Sequence, residues 1–211
     1  MNWPSRDRWR TLWQSAGAGE SAPGWYERLA DAYAEPQRHY HNQQHIAECL
    51  AEFDQARSWA RQPAAVEFAL WFHDAVYDPK AGDNEEKSAA LARGCLAEGN
   101  AARLFTETVV KLVLATKNHP GHSDADTDLI VDVDLSILGR DEKRFVEYET
   151  QIRQEYSWVP ASIFAPKRIE ILERFLARER IFSTNWFRDK YEVQARRNLA
   201  TSISCLRGTT Q

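Results

Sequence analysis

Apolar side chains recur three and four residues apart along nearly the whole chain, as in Leu104, Phe105, Val109, Leu112 and Val113, and again in Ile169, Leu172, Phe175 and Leu176. That spacing gathers one apolar stripe per helix, and no convincing two-residue alternation of the kind a half-buried strand needs interrupts it. Turn residues fall between the stripes, at Gln62-Pro63, Asp78 to Asp83, Gly99-Asn100, His119-Pro120-Gly121, Gly139-Arg140, Val159-Pro160 and Ala165-Pro166. The pattern predicts an all-α chain of about eight or nine helices, near 25–34, 41–60, 63–77, 84–98, 101–117, 125–138, 141–157, 166–182 and 184–206. Connections are short, so 78–84 and 117–125 are the loops with room for chemistry.

At 211 residues, 43% hydrophobic and 27% charged, the chain has the composition of one soluble domain with one sizeable core. A formal charge of −4, with no long basic block, gives a nucleic-acid backbone or an anionic membrane little to bind. Cys49, Cys95 and Cys205 are odd in number and form no CxxC, which argues for a reducing compartment. The N-terminus mixes charge with tryptophan and lacks a signal-peptide core, and no apolar run approaches the roughly 18 residues of a membrane span. The expected location is the cytoplasm. Trp9 and Trp13, four residues apart, suit an amphipathic extension over 1–24, docked on its own domain or on a second subunit of a homodimer.

Against this background His73 and Asp74 stand out. They close the apolar run Val66 to Phe72, where the pattern places a buried helix, and an unpaired buried carboxylate costs several kcal/mol or takes up a proton. A helix through 63–77 puts His73 on a stripe with Val66, Ala69 and Leu70. A helix through 125–138 likewise sets Asp134 between Ile130 and Ile137, pointing inward, with Asp132 on the wetter face. On a third segment His41 and His45 stand four apart, and His45 borders the stripe of Ile46, Cys49, Leu50 and Phe53, which makes it the better ligand candidate. Imidazoles and carboxylates together suit a divalent ion such as Mn, Fe, Co, Ni or Zn. Spacing alone does not choose the ion.

The order His45, His73-Asp74, Asp134 resembles the H…HD…D pattern of the HD superfamily of metal-dependent phosphohydrolases. The flanks extend the likeness: Tyr33 to His45, Trp71 to Asp78, Asn84 to Ala89, Asp132 to Gly139, Arg153 to Tyr156 and Glu192 to Asn198 look like one poorly characterised bacterial branch, over most of residues 25–200. The resemblance implies an all-helical HD-type domain with His45, His73, Asp74 and Asp134 around one or two divalent ions, Mg included. It departs at Tyr77, where many family phosphatases carry glutamate, so the acid/base residue does not transfer directly.

Other residues divide between chemistry and structure. Asp74 and Glu85 are the catalytic candidates, with Glu85 equally suited to a first-turn anion beside an Asp83–Glu86 helix cap. Lys117, His119, Arg38 and Arg153 are the substrate-binding candidates, and His122 a weaker one. Arg38 and Arg153 serve equally as clamps on Glu35 or Glu155. Lys167, Arg168, Arg174, Arg178 and Arg180 alternate with Glu170, Glu173 and Glu179 and predict a solvated face. Cys49 and Cys95 are expected as small core residues.

The function expected from this set is hydrolysis of a phosphate ester of a nucleotide or other small metabolite, with the ion bringing the pKa of a water toward about 7. The partner is then a small phosphorylated substrate rather than nucleic acid or membrane. An HD-type di-iron oxygenase and a non-catalytic metal or nucleotide sensor are the rival readings.

Overall fold

A computed structural model describes residues 3–19, 24–119 and 123–208. Among these residues the chain is all-helical, with ten α-helices and two short 3-10 turns: α1 (Arg6–Ser15), α2 (Trp25–Ala32), α3 (Gln43–Ala56), a 3-10 turn at Arg57–Trp59, α4 (Pro63–Phe72), α5 (Asn84–Glu98), α6 (Arg103–Ala115), α7 (Ala125–Leu135), a second 3-10 turn at Ser136–Gly139, α8 (Glu142–Glu155), α9 (Ala161–Leu176) and α10 (Asn185–Gly208). No strand occurs among them. No helix among them is long and apolar enough to cross a membrane.

Helix α4 is the axis of the core. Its residues from Ala65 to Phe72 are all buried, as expected for a helix that is apolar on every side. Its one charge, Glu67, is satisfied by Arg57 and by Arg8 of α1, whose Nε lies 2.7 Å away. The N-terminal helix therefore docks on its own domain. Trp9 packs on Phe68 and Trp71 of α4, and Trp13 sits so close to the end of α5 that a Cβ on Gly99 would meet its ring at 2.4 Å.

Several helix ends depart from the periodicity, most of them where a side chain takes a backbone group. The expected helix over 63–77 stops at Phe72, and His73-Asp74 occupy the turn that follows. The Trp71 carbonyl that a continuing helix would bond to Ala75 instead accepts the Tyr33 hydroxyl at 3.1 Å, and Arg38 takes the carbonyls of Asp74 and Ala75. Ser88 of α5 accepts from the Val76 amide. Helix α3 begins at Gln43 rather than 41, because the Asn42 side chain caps it by accepting from the amides of Gln44 and His45. His41 thus precedes the helix. Pro166, expected in a turn, lies inside α9, which starts five residues earlier than predicted and ends at Leu176. There the Arg196 guanidinium collects the carbonyls of Leu176, Arg178 and Glu179.

Candidate metal centre

Three elements deliver four side chains to one point. His45 comes from the first turn of α3, His73 and Asp74 from the turn ending α4, and Asp134 from the last turn of α7. The Nε2 atoms of His45 and His73 face each other at 3.1 Å. Asp74 Oδ2 lies 3.3 Å from the first and 3.1 Å from the second, and Asp134 Oδ1 lies 3.3 and 3.5 Å from them. Ligands about 2.1 Å from a shared ion stand about 3.0 to 3.4 Å apart across right or tetrahedral angles, so these spacings fit one divalent cation. Cys49, one turn after His45 on α3, adds Sγ at 3.7 Å from His45 Nδ1. His45, Cys49, His73 and Asp134 form a cluster that could hold a metal ion, their donor atoms all within 4.8 Å of one another. The expectation that Cys49 is only a core residue is too narrow, although its i, i+4 spacing from His45 was visible.

The donor chemistry also fits. His73 Nδ1 is 3.0 Å from the Leu70 carbonyl, which only accepts, so that nitrogen carries a proton and leaves Nε2 facing the cluster as the atom that would ligate an ion from the neutral ring. Burial disfavours charge on both imidazoles. At His45 the neighbouring Cys49 and Tyr40 with the two carboxylates outweigh burial, and at His73 Asp74 and Asp134 do, so both pKa values lie well above the ordinary one. Burial likewise opposes ionised Asp74 and Asp134, yet His73 and His41 beside the former, and His119 and His45 beside the latter, hold both well below the usual carboxylate range. Two ionised carboxylates facing two imidazoles make a site that draws positive charge, which protons on the rings, or a divalent cation in their place, would supply.

The surroundings fix these groups in place. Asp134 Oδ2 lies 3.0 Å from His119 Nε2, and His119 adopts a left-handed backbone, φ +43°. For a residue other than glycine that conformation costs energy, and it occurs here where the side chain meets the cluster. The second organiser is Glu155 at the end of α8, whose Oε1 accepts the amides of His39, Tyr40 and His41, all at 2.8–2.9 Å. Its Oε2 accepts the Tyr77 hydroxyl and lies 2.7 Å from His41 Nδ1. Burial raises the Glu155 carboxyl, but the His41 ring and these amides prevail and bring it down to about 2. Sequence reasoning weighed Glu155 only as a partner of Arg153. No local pattern links it to residues more than a hundred positions away.

Several expectations change. Asp132, expected on the wetter face, is fully buried. It accepts from the amides of Ser183 and Thr184 and from the Thr184 hydroxyl ahead of α10, and burial pushes its carboxyl up to about 6 against those bonds. Arg38 is a clamp. Its guanidinium donates to Glu35 and to the carbonyls of His41, Asp74 and Ala75, four bonds that build the turn carrying Asp74. Arg153 turns to the carbonyls of Tyr156 and Val159 at the end of α8. Asp83 pairs with Lys87 and does not cap α5, while Glu86 binds Lys117 and Glu85 stands 4.0 Å from the same ammonium. His122 lies outside the described residues.

A cavity of about 830 Å3 opens over the cluster, with His41, His119 and Asp134 in its wall beside Lys117. Helix α9 contributes Lys167, Arg168 and Arg174 to the same wall, and the segment after it contributes Arg178. The expected solvated face holds for Lys167, Arg174 and Arg180, which are exposed, although the first two also line the cavity, while Arg168 is buried against Tyr148 and Glu149.

Comparisons with protein-family models, with curated proteins and with solved structures found no match to this chain. Fold and site together define an all-helical domain with a candidate divalent-metal centre, compatible with an HD-type fold.

Proposed function

We propose that this protein is a divalent-metal-dependent phosphohydrolase of the HD type, cleaving a phosphate ester of a nucleotide or other small metabolite. One observation carries the reading: His45, His73, Asp74 and Asp134 gather four donor atoms, the two imidazole nitrogens 3.1 Å apart and the carboxylate oxygens 3.1–3.5 Å from them, and Asp134 also lines a cation-rich cavity. Bound there, a divalent ion supplies an acidified water as nucleophile and a positive charge against phosphoryl oxygens. Asp74 and the imidazoles orient that reaction, and Lys117 offers an ammonium to the phosphate. His119, part-exposed in the cavity wall, is placed to pass a proton to the leaving oxygen. Glu85, 4.0 Å from Lys117, adds to the field at that ammonium, which Glu86 and the Gly82 carbonyl hold in position.

The test combines elemental analysis of wild type and Asp74→Ala with a phosphate-release screen over nucleotides and sugar phosphates. Metal in the wild type, its loss in the variant and metal-dependent phosphate release support the reading. Equal metal in both proteins, or no release with any ester, overturns it. The split Asp134 carboxylate, one oxygen toward the cluster and one toward His119, also suits a bridge between two ions and keeps the di-iron oxygenase as the second reading. Bound iron with oxygen-dependent turnover distinguishes that case.

A further inference from the structure

The cavity wall has a charge distribution opposite to that of the chain. The protein carries −4 overall, yet five cations line this cavity, Lys117, Lys167, Arg168, Arg174 and Arg178, and its single lining carboxylate is Asp134 of the metal cluster. Three of the five already have a carboxylate partner. Lys117 binds Glu86, Lys167 lies 3.0 Å from Glu170, and Arg168 binds Glu149. Among the described residues no carboxylate lies within ion-pair distance of Arg174, in the last turn of α9, or of Arg178, two residues past its end. The Arg178 guanidinium sits 4.7 Å from the Phe175 ring centre, and that ring packs 6.0 Å from His119, which holds Asp134. An apolar surface thus runs from the metal cluster to a pair of like charges. Burial and the neighbouring Arg174 both lower the pKa of Arg178, as like charges sharing a wall must.

We infer that Arg174 and Arg178 form a second anion subsite, so that the ligand of this cavity is an elongated organic molecule with an anionic group at each end and a flat apolar body lying against Phe175. The inference deepens the phosphohydrolase reading and rests on it only for the identity of the group at the metal end. A guanidinium pair suits carboxylate or phosphate oxygens through paired N–H donors, and a cavity of this size encloses a ligand of nucleotide dimensions. Arg178, stacked on its ring, loses little side-chain freedom on binding.

The probes are 2-naphthylphosphonate and 6-carboxy-2-naphthylphosphonate, whose C–P bond is not hydrolysed and which differ in the distal anion, with affinities measured by calorimetry in manganese. The wild type is expected to bind the carboxylated probe about 10-fold more tightly or better. The double variant Arg174→Gln and Arg178→Gln, which keeps the long side chains, removes that preference. Arg180→Gln, on a residue outside the cavity wall, leaves it intact. Equal affinity for the two probes, no binding of either at millimolar concentration, or the same loss from Arg180→Gln overturns the subsite. Phosphate release is not read, so a protein that prefers the carboxylated probe yet hydrolyses no phosphate ester with any metal sinks the phosphohydrolase reading and leaves the subsite standing.

Discussion

His119 Nε2 stands 3.0 Å from Asp134 Oδ2, while the other oxygen of the same carboxylate faces His45 and His73. The imidazole therefore sets the plane in which Asp134 presents its remaining lone pairs. Partners of this kind typically change metal affinity by about 10–100-fold when removed. His119→Ala is expected to weaken manganese or zinc binding by that order without unfolding the domain, as read by competitive chelator titration and circular dichroism.

Asp74 and Cys49 compete for membership of the donor set around His45, His73 and Asp134. Asp74 Oδ2 approaches both imidazole nitrogens to 3.1–3.3 Å, whereas Cys49 Sγ stays at 3.7 Å or more from His45. Asp74→Ala is expected to abolish stoichiometric metal, and Cys49→Ser to retain it. Elemental analysis giving the reverse pattern would place a thiolate in the coordination sphere.

Arg38 joins the loop before α3 to the turn after α4 through the carbonyls of His41, Asp74 and Ala75. Its removal leaves buried carbonyls without donors and frees the turn that aims Asp74. Arg38→Ala is expected to lose about 2–4 kcal/mol in urea denaturation. Lysine, a single ammonium without the fork, recovers little of it.

Glu155 ties pH to stability. Its folded pKa of about 2 lies below the ordinary 4.5, so its contribution is present above pH 4.5 and is lost as pH falls through 2. A shift of that size corresponds to about 3 kcal/mol. Glu155→Gln is expected to destabilise the protein at pH 7 and to flatten the loss of stability between pH 4.5 and 2, measured by urea midpoints across that range. An unchanged acid slope would remove Glu155 from the account.

Gly139 marks where α10 crosses the 3-10 turn after α7. A Cβ there would lie 2.4 Å from Tyr191 Cβ, and Asn198 of α10 binds the carbonyls of Leu138 and Arg140 on either side. Gly139→Ala is expected to cost about 1–3 kcal/mol by thermal denaturation, with the site geometry disturbed through the end of α7.

Periodicity alone determined that this chain is helical, and the placing of ligand-type residues on apolar stripes singled out His45, His73, Asp74 and Asp134. Both signals are local, because burying one stripe per helix is dictated by residues three and four apart. Tertiary structure alone decided where α4 ends, since Tyr33, Arg38 and Ser88 must arrive from elsewhere to take the backbone groups of residues 71–76. The same holds for Glu155, which reads as an ordinary last-turn acid until the fold lays the His39–His41 amides on it, and for Arg174 and Arg178, which read only as a wetted face until the fold sets them in a cavity wall. A side chain's partner depends on which distant backbone or charge it meets, and one-dimensional spacing carries no record of that meeting.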